Sequence, residues 1–140
     1  MVVKDKERKE ERLSIVKIGG NIVDDPELLE SFLCDFHRLE GRKLLVHGGG
    51  VMASKMAVEL GIETKMIQGR RITDADTLKL VTMVYAGWIN KNMVASLQKI
   101  GCNAIGLSGA DGNTIPALRR SPVPVDYGFV GDPDPEKVNA

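Results

Sequence analysis

At 140 residues the chain is long enough for one ordinary domain with its own core. Its 19 Lys and Arg against 19 Asp and Glu leave no net charge, so no basic face advertises nucleic acid and no acidic tail suggests a solvating segment. No apolar run approaches the roughly 18 residues of a membrane span, and a charged run stands near the start where a leader would be hydrophobic, so the expectation is a soluble, cytoplasmic protein.

Residues 1–12 read as a charged N-terminal arm, solvated, with an oligomer-forming or regulatory extension as the alternative. Leu13-Ser14-Ile15-Val16-Lys17-Ile18 alternates loosely, is β-branched and stops at Gly19-Gly20, which predicts a first strand with Lys17 at its carboxyl end. Asp24-Asp25-Pro26 is a helix start, with Pro in the first turn behind an Asp cap. Leu28, Leu29, Phe32, Leu33, Phe36 and Leu39 then recur at helical spacing until Gly41. Leu44–His47 is a second strand, parallel to the first because a helix joins them. A helix follows from about Val51 to Leu60. Ile62–Thr73, with Gln68-Gly69-Arg70-Arg71 between two short β-prone runs, predicts a hairpin.

Thr73 with Asp76 is related to a capping box and opens the longest helix, to about Ile100. Its apolar stripe is Leu78, Val81, Val84, Tyr85, Trp88, Ile89, Met93, Leu97 and Ile100. The Met83, Tyr85 and Trp88 side chains are expected in the core, with a subunit contact as the second use. Asn103–Leu107 predicts another strand and Val125–Val130 a short one; Pro135–Val138 looks like the first turn of a helix whose body is missing, a sign of truncation. Cys34 and Cys102 lack metal-ligand or CxxC spacing and read as buried free thiols.

Two strand ends carry glycine clusters: Lys17-Ile18-Gly19-Gly20 and His47-Gly48-Gly49-Gly50. Glycines between a strand and a helix let a phosphate or carboxylate approach several backbone N–H groups at the positive end of the helix dipole. A glycine turn can equally serve packing alone. Two of them on neighbouring parallel strands, with Lys17, would face one crevice at the strands' carboxyl ends. That set suits a phosphoryl group in transfer, whose charge is spread over its oxygens. Neither G-x-x-x-x-G-K-[ST] nor G-x-G-x-x-G spacing occurs, so the scaffold is neither a P-loop nor a dinucleotide fold.

The runs Val16–Gly20, Val46–Gly50, Gln68–Asp74, Ala86–Lys91 and Ala104–Gly112 resemble, in order, the N-terminal half of the amino-acid kinase family. The first two are shared across the family; the last three are similar to those of members that act on an acylated glutamate. The likeness covers nearly everything after Arg12 and ends inside Val125–Gly128. It implies a three-layer αβα sandwich with a mainly parallel sheet, of which residues 13–140 would be the N-terminal, substrate-binding half. The function it implies is ATP-dependent phosphorylation of the side-chain carboxylate of N-acetyl-L-glutamate, or a related N-acylglutamate, to an acyl phosphate in arginine biosynthesis. Mg²⁺ would come with the nucleotide and not from a protein metal site. By the same likeness Lys17 would stabilise the passing phosphoryl group, and Gly20 and Gly49 would donate N–H bonds to it. Gly49 and Gly50 would line the acylated amino acid, Arg71 would hold its α-carboxylate, and the hairpin carrying Gly69 would be a lid. A homodimer through the Thr73–Ile100 helix is implied as well. The adenine site, a second lysine and an organising carboxylate would lie in the other half, so the 140 residues alone are expected to be inactive.

Gln68 and Arg70 depart from the family's usual Asn and Leu, which leaves Arg70 as a rival to Arg71; spacing to Ile72-Thr73-Asp74 favours Arg71. Lys17 as a snorkelling surface lysine is the plain alternative. His47 reads as a hydrogen-bonded strand-end histidine, His37 as a surface residue, and Asp111 as a turn cap and not a Mg²⁺ ligand. Two other functions fit: another carboxylate or carbamate kinase of the superfamily, or a non-catalytic module that binds an acylated amino acid.

Overall fold

The computed structural model describes residues 12–138; the charged arm expected over residues 1–12 falls almost wholly outside them. Strand β1 (Leu13–Ile18) pairs in parallel with β2 (Arg42–His47), Ile15 opposite Leu44 and Ile18 opposite His47. A single turn of helix, α1 (Gly20–Val23), and then α2 (Pro26–Arg38) make the crossover. The expected start is present: Asp25 accepts hydrogen bonds from the Glu27 and Leu28 backbone N–H groups, both at 3.0 Å, with Pro26 leading the helix. The α1 turn was not expected, and Leu28 and Leu39 of the predicted stripe are exposed.

After β2 comes α3 (Gly50–Glu59), then a hairpin of β3 (Lys65–Ile67) and β4 (Arg70–Ile72). Its two-residue turn, Gln68-Gly69, has positive φ at both positions, 50° and 74°, the turn whose twist matches a right-twisted hairpin. Helix α4 (Ala75–Thr82) is capped by Asp74, which accepts from Thr77 N–H at 2.8 Å. The expected Thr73–Asp76 cap does not form: Thr73 is buried and its backbone bonds Tyr127 O and Phe129 N–H instead.

The long helix is not uniformly α. Between α4 and α5 (Asn90–Lys99) the residues Met83–Ile89 wind as a π-helix. The buried series is Leu80, Val84, Ile89, Met93, Leu97, a step of five where the others are four. A continuous α-helix would carry Trp88 inward after Val84; the π turn brings Ile89 in and leaves Trp88 59 % exposed. Trp88 and Met83 are therefore on the surface, correcting their placement in the core, and Tyr85 is half-buried.

The helices pack on one face of the two strands. Leu33, Phe36 and Leu97 bury against Val16 and Leu45, and Ile18 joins Val23, Ala53, Ala57, Leu80, Val84, Ile89 and Met93 in the larger cluster. Each fully buried Leu, Ile or Phe contributes roughly 1.5–3 kcal/mol relative to exposure. The opposite face, with Leu13, Ile15, Leu44 and Val46, is open, so among the described residues two of the three expected layers are present.

The expected strand Asn103–Leu107 does not form a ladder. Its carbonyls are taken by side chains of α5: Gln98 Nε2 donates to Ala104 O at 3.0 Å and Lys91 Nζ to Gly106 O at 2.7 Å. Val125–Val130 is likewise not a strand; the pairing is between β5 (Ala117–Arg119) and β6 (Gly131–Pro133). Pro135–Lys137 forms the expected first turn as a 3₁₀ turn capped by Asp134. Cys34 and Cys102 are free but half-buried, less enclosed than their surroundings in sequence suggested.

Candidate functional site

Because β1 and β2 are parallel neighbours in register, Gly19-Gly20 and Gly48-Gly49-Gly50 leave the sheet side by side. Helix α3 begins at Gly50 with Gly49 at its cap position, and no side chain caps it. Its first intrahelical bond is Ala53 N–H to Gly49 O at 2.9 Å, so the N–H groups of the first turn are not engaged within the helix. Together they carry the equivalent of about half a positive charge. Gly20 opens α1, which also lacks a side-chain cap.

Gly49 is buried, with φ 172° and ψ 25°. It is required here by close approach: a Cβ would collide with Ile89 Cδ1 and come within 3.0 Å of Tyr85 Cδ1, both from the π turn. The irregular helix thus seats the glycine turn from behind. Lys17 is exposed one residue before the end of β1, opposite Val46 and on the open face of the sheet, not the helix-covered one.

Arg71 is half-buried on β4 and reaches across to the first turn of α3. Its Nη2 donates to Gly50 O at 3.2 Å and to Ser54 Oγ at 2.7 Å. Ser54 in turn donates to Gly50 O at 2.9 Å. The Arg71 Nε is buried without a partner among the described residues, a donor held ready beside the glycine turn. Arg70, its sequence rival, is exposed. Gly69 lies exposed at the hairpin tip, one residue from Arg70. Ser54 was missed by sequence reasoning, although its position four residues after Gly50 puts it on the same helix face.

His47 sits behind the turn, its Nδ1 3.0 Å from Gly48 O. Asp111 accepts from both the Ser108 hydroxyl and backbone N–H at 2.6 Å, and these bonds hold its carboxyl below the ordinary value of 3.8. It is the expected turn cap. Among the described residues no three His, Cys, Asp or Glu side chains cluster to hold a metal ion, and no helix is long and apolar enough to cross a membrane. Cavities of about 290 and 300 Å³ lie between helices, one under α2 and α5 and one beside Trp88.

A model of the amino acid kinase family matches residues 12–139. Among curated proteins the chain is 60 % identical over 130 residues to an acetylglutamate kinase of Phocaeicola vulgatus, covering 93 % of this chain and 50 % of that protein. It is 41 % identical over 132 residues to an acetylglutamate kinase of Methanopyrus kandleri, covering 91 % and 50 %. The chain spans about half the length of the curated relatives it matches. Among solved structures, smu.665 from Streptococcus mutans superposes with a TM-score of 0.72 at 25 % identity, over 87 % of this chain and 49 % of that one. An N-acetylglutamate synthase from Neisseria gonorrhoeae, complexed with coenzyme A and N-acetyl-glutamate, shares the fold at TM-score 0.64 and 22 % identity, over 85 % and 27 %.

Proposed function

The chain belongs to the amino acid kinase family, and from that premise we propose that the protein containing it phosphorylates the side-chain carboxylate of N-acetyl-L-glutamate with ATP, in arginine biosynthesis in the cytoplasm. ATP brings its own Mg²⁺ to the site. The observation that carries the reading is the uncapped start of α3 beside the Gly19-Gly20 turn, with Arg71 drawn onto its first turn.

The chemistry asks little of the protein beyond positioning. A glutamate side chain has an ordinary pKa of about 4.3, so the nucleophile is already ionised near neutral pH and no general base is needed. The obstacle is repulsion between a carboxylate and a polyphosphate. Gly20 and Gly49 donate backbone N–H bonds to the phosphoryl group as it passes, and Lys17 neutralises charge on its oxygens. Gly49 and Gly50 line the acylated amino acid. Arg71 turns its fork to the α-carboxylate, with Nε as one of the two donors, and the Gly69 hairpin closes over the substrate. Trp88 and Met83, exposed on the π turn, belong to a homodimer contact along the Thr73–Ile100 helix.

The test uses the full-length gene product with ATP, Mg²⁺ and N-acetylglutamate, trapping the acyl phosphate with hydroxylamine. Arg71→Ala raises KM for N-acetylglutamate about ten- to a hundred-fold, the loss of a charged hydrogen-bond pair, and leaves KM for ATP unchanged. Lys17→Met lowers kcat about a hundred-fold or more with smaller effects on either KM. Absence of acyl phosphate with the wild type, or an unaltered substrate KM in Arg71→Ala, overturns the reading.

A further inference from the structure

Behind the glycine turn runs a chain of polar contacts that phosphoryl transfer does not use directly. Lys91 Nζ lies 3.1 Å from Asn90 Oδ1 and 2.7 Å from Gly106 O. Asn90, buried at the start of α5, places its Nδ2 3.4 Å from His47 Nε2 and 3.5 Å from Leu107 O. His47 Nδ1 lies 3.0 Å from Gly48 O. The approach is permitted by Gly106, where a Cβ would collide with Asn90 Oδ1.

The donor directions follow from one end. An ammonium can only donate, so the Asn90 atom against Lys91 is the amide oxygen. The amide nitrogen then faces His47 Nε2 and donates, which leaves Nε2 as acceptor and puts the imidazole proton on Nδ1. That proton is donated to Gly48 O. The Gly48–Gly49 peptide is planar and trans, so fixing its carbonyl towards His47 turns the Gly49 N–H to the opposite side, away from the helix-covered face. A hydrogen bond to the carbonyl also polarises the amide and strengthens its N–H as a donor.

We infer that Asn90 and His47 are positioning residues: through the Nδ1–H tautomer of His47 they aim and polarise the Gly49 N–H at the phosphoryl group, with Lys91 setting the orientation of Asn90. Neither side chain touches substrate. The inference rests on the phosphoryl-transfer reading above, and it separates from that reading because the tautomer is observable without turnover.

Two isosteres of histidine divide the roles. His47→Asn keeps a nitrogen where Nδ1 stands and so keeps the bond to Gly48 O; His47→Gln places its amide where Nε2 stands, with the oxygen accepting from Asn90, and loses the bond to Gly48 O. In the full-length gene product, His47→Gln and Asn90→Leu are expected to lower kcat about ten-fold with KM for N-acetylglutamate within about two-fold, the size of one lost hydrogen bond. His47→Asn stays within about three-fold of wild type. A role in filling space or tying the turn to α5 predicts the reverse order, and that order overturns the inference. Independently, ¹⁵N NMR of the substrate-free wild type shows the Nδ1–H tautomer for His47, and Asn90→Asp, whose carboxylate can only accept, moves the proton to Nε2. A wild-type Nε2–H tautomer overturns the inference even if every variant fails to fold. Wild type without acyl phosphate formation, but with the Nδ1–H tautomer and the expected Asn90→Asp change, overturns the kinase reading alone and leaves the aimed Gly49 N–H standing as an anion donor.

Discussion

Arg42–Gly50 and Asn103–Gly109 are two versions of one sequence pattern, a β-prone run that ends in small residues, and they end in different structures. The first lies parallel to β1 over six residue pairs and delivers its glycines to a helix start. The second enters no ladder, and Gln98, Lys91 and Asn90 reach its carbonyls from α5. Ile105 in its middle is 82 % exposed, whereas Leu45 of β2 packs against both clusters of the core. Strand propensity is thus a readiness for pairing that a neighbouring edge must complete. Where no edge is adjacent, long polar side chains on the preceding helix satisfy the backbone in its place.

The contrast can be broken most forcefully from the first region's side. Leu33→Ala, in the cluster that backs both strands, is expected to cost this chain about 2–5 kcal/mol in urea unfolding; a loss of a few tenths would mean that the core is not organised as described. Gly49→Ala follows, at about 1–3 kcal/mol, because a methyl must displace Ile89 or Tyr85 of the π turn. Shortening the obstacle with Ile89→Val should recover part of that loss, which a double-mutant cycle reads. On the other side, Ile105→Ala changes the unfolding free energy of this chain by less than about 0.5 kcal/mol. A large effect there would show that the segment is packed and not merely held by its carbonyls.

The smallest effect sharpens the comparison through pH. The Asp111 carboxyl is held below its ordinary value by the Ser108 hydroxyl and N–H, and that of Asp74 by the Thr77 N–H. A depressed folded-state pKa contributes stability that is present above the unfolded value and lost as pH falls through the folded one. The Ser108–Asp111 turn and the start of α4 therefore loosen only in acid, below about pH 4. Amide protection at Ser108 and Thr77, the exchange rate relative to the intrinsic rate at each pH, measures it across that range, and Asp111→Asn makes the Ser108 protection insensitive to pH there. Unchanged protection in the wild type would show that the two carboxylates do not anchor these turns.

Much of the site could be read from the chain because its parts are local. A β-branched run, a glycine pair and an Asp-Pro start define β1, the turn after it and α2 within neighbouring residues. The Gln68-Gly69 turn is likewise local, and it carries Arg71 with it. The contacts that give these parts their geometry are distant in sequence. Ser54 meets Arg71 across 17 positions and Asn90 meets His47 across 43, and no periodicity within either segment announces a partner in the other.

Local order, then, was written in the residues themselves: which runs extend, where helices begin, and that two glycine turns follow adjacent parallel strands. Packing decided what remained. Close approach of Ile89 and Tyr85 to Gly49 accompanies a step of five in the buried series, and that step puts Trp88 on the surface against its helical spacing. Whether Asn103–Leu107 became a strand was settled in the same way, by which backbone or side chain stood within hydrogen-bonding distance. Both outcomes depend on volumes and edges contributed by other segments, which is information that no short window of sequence contains.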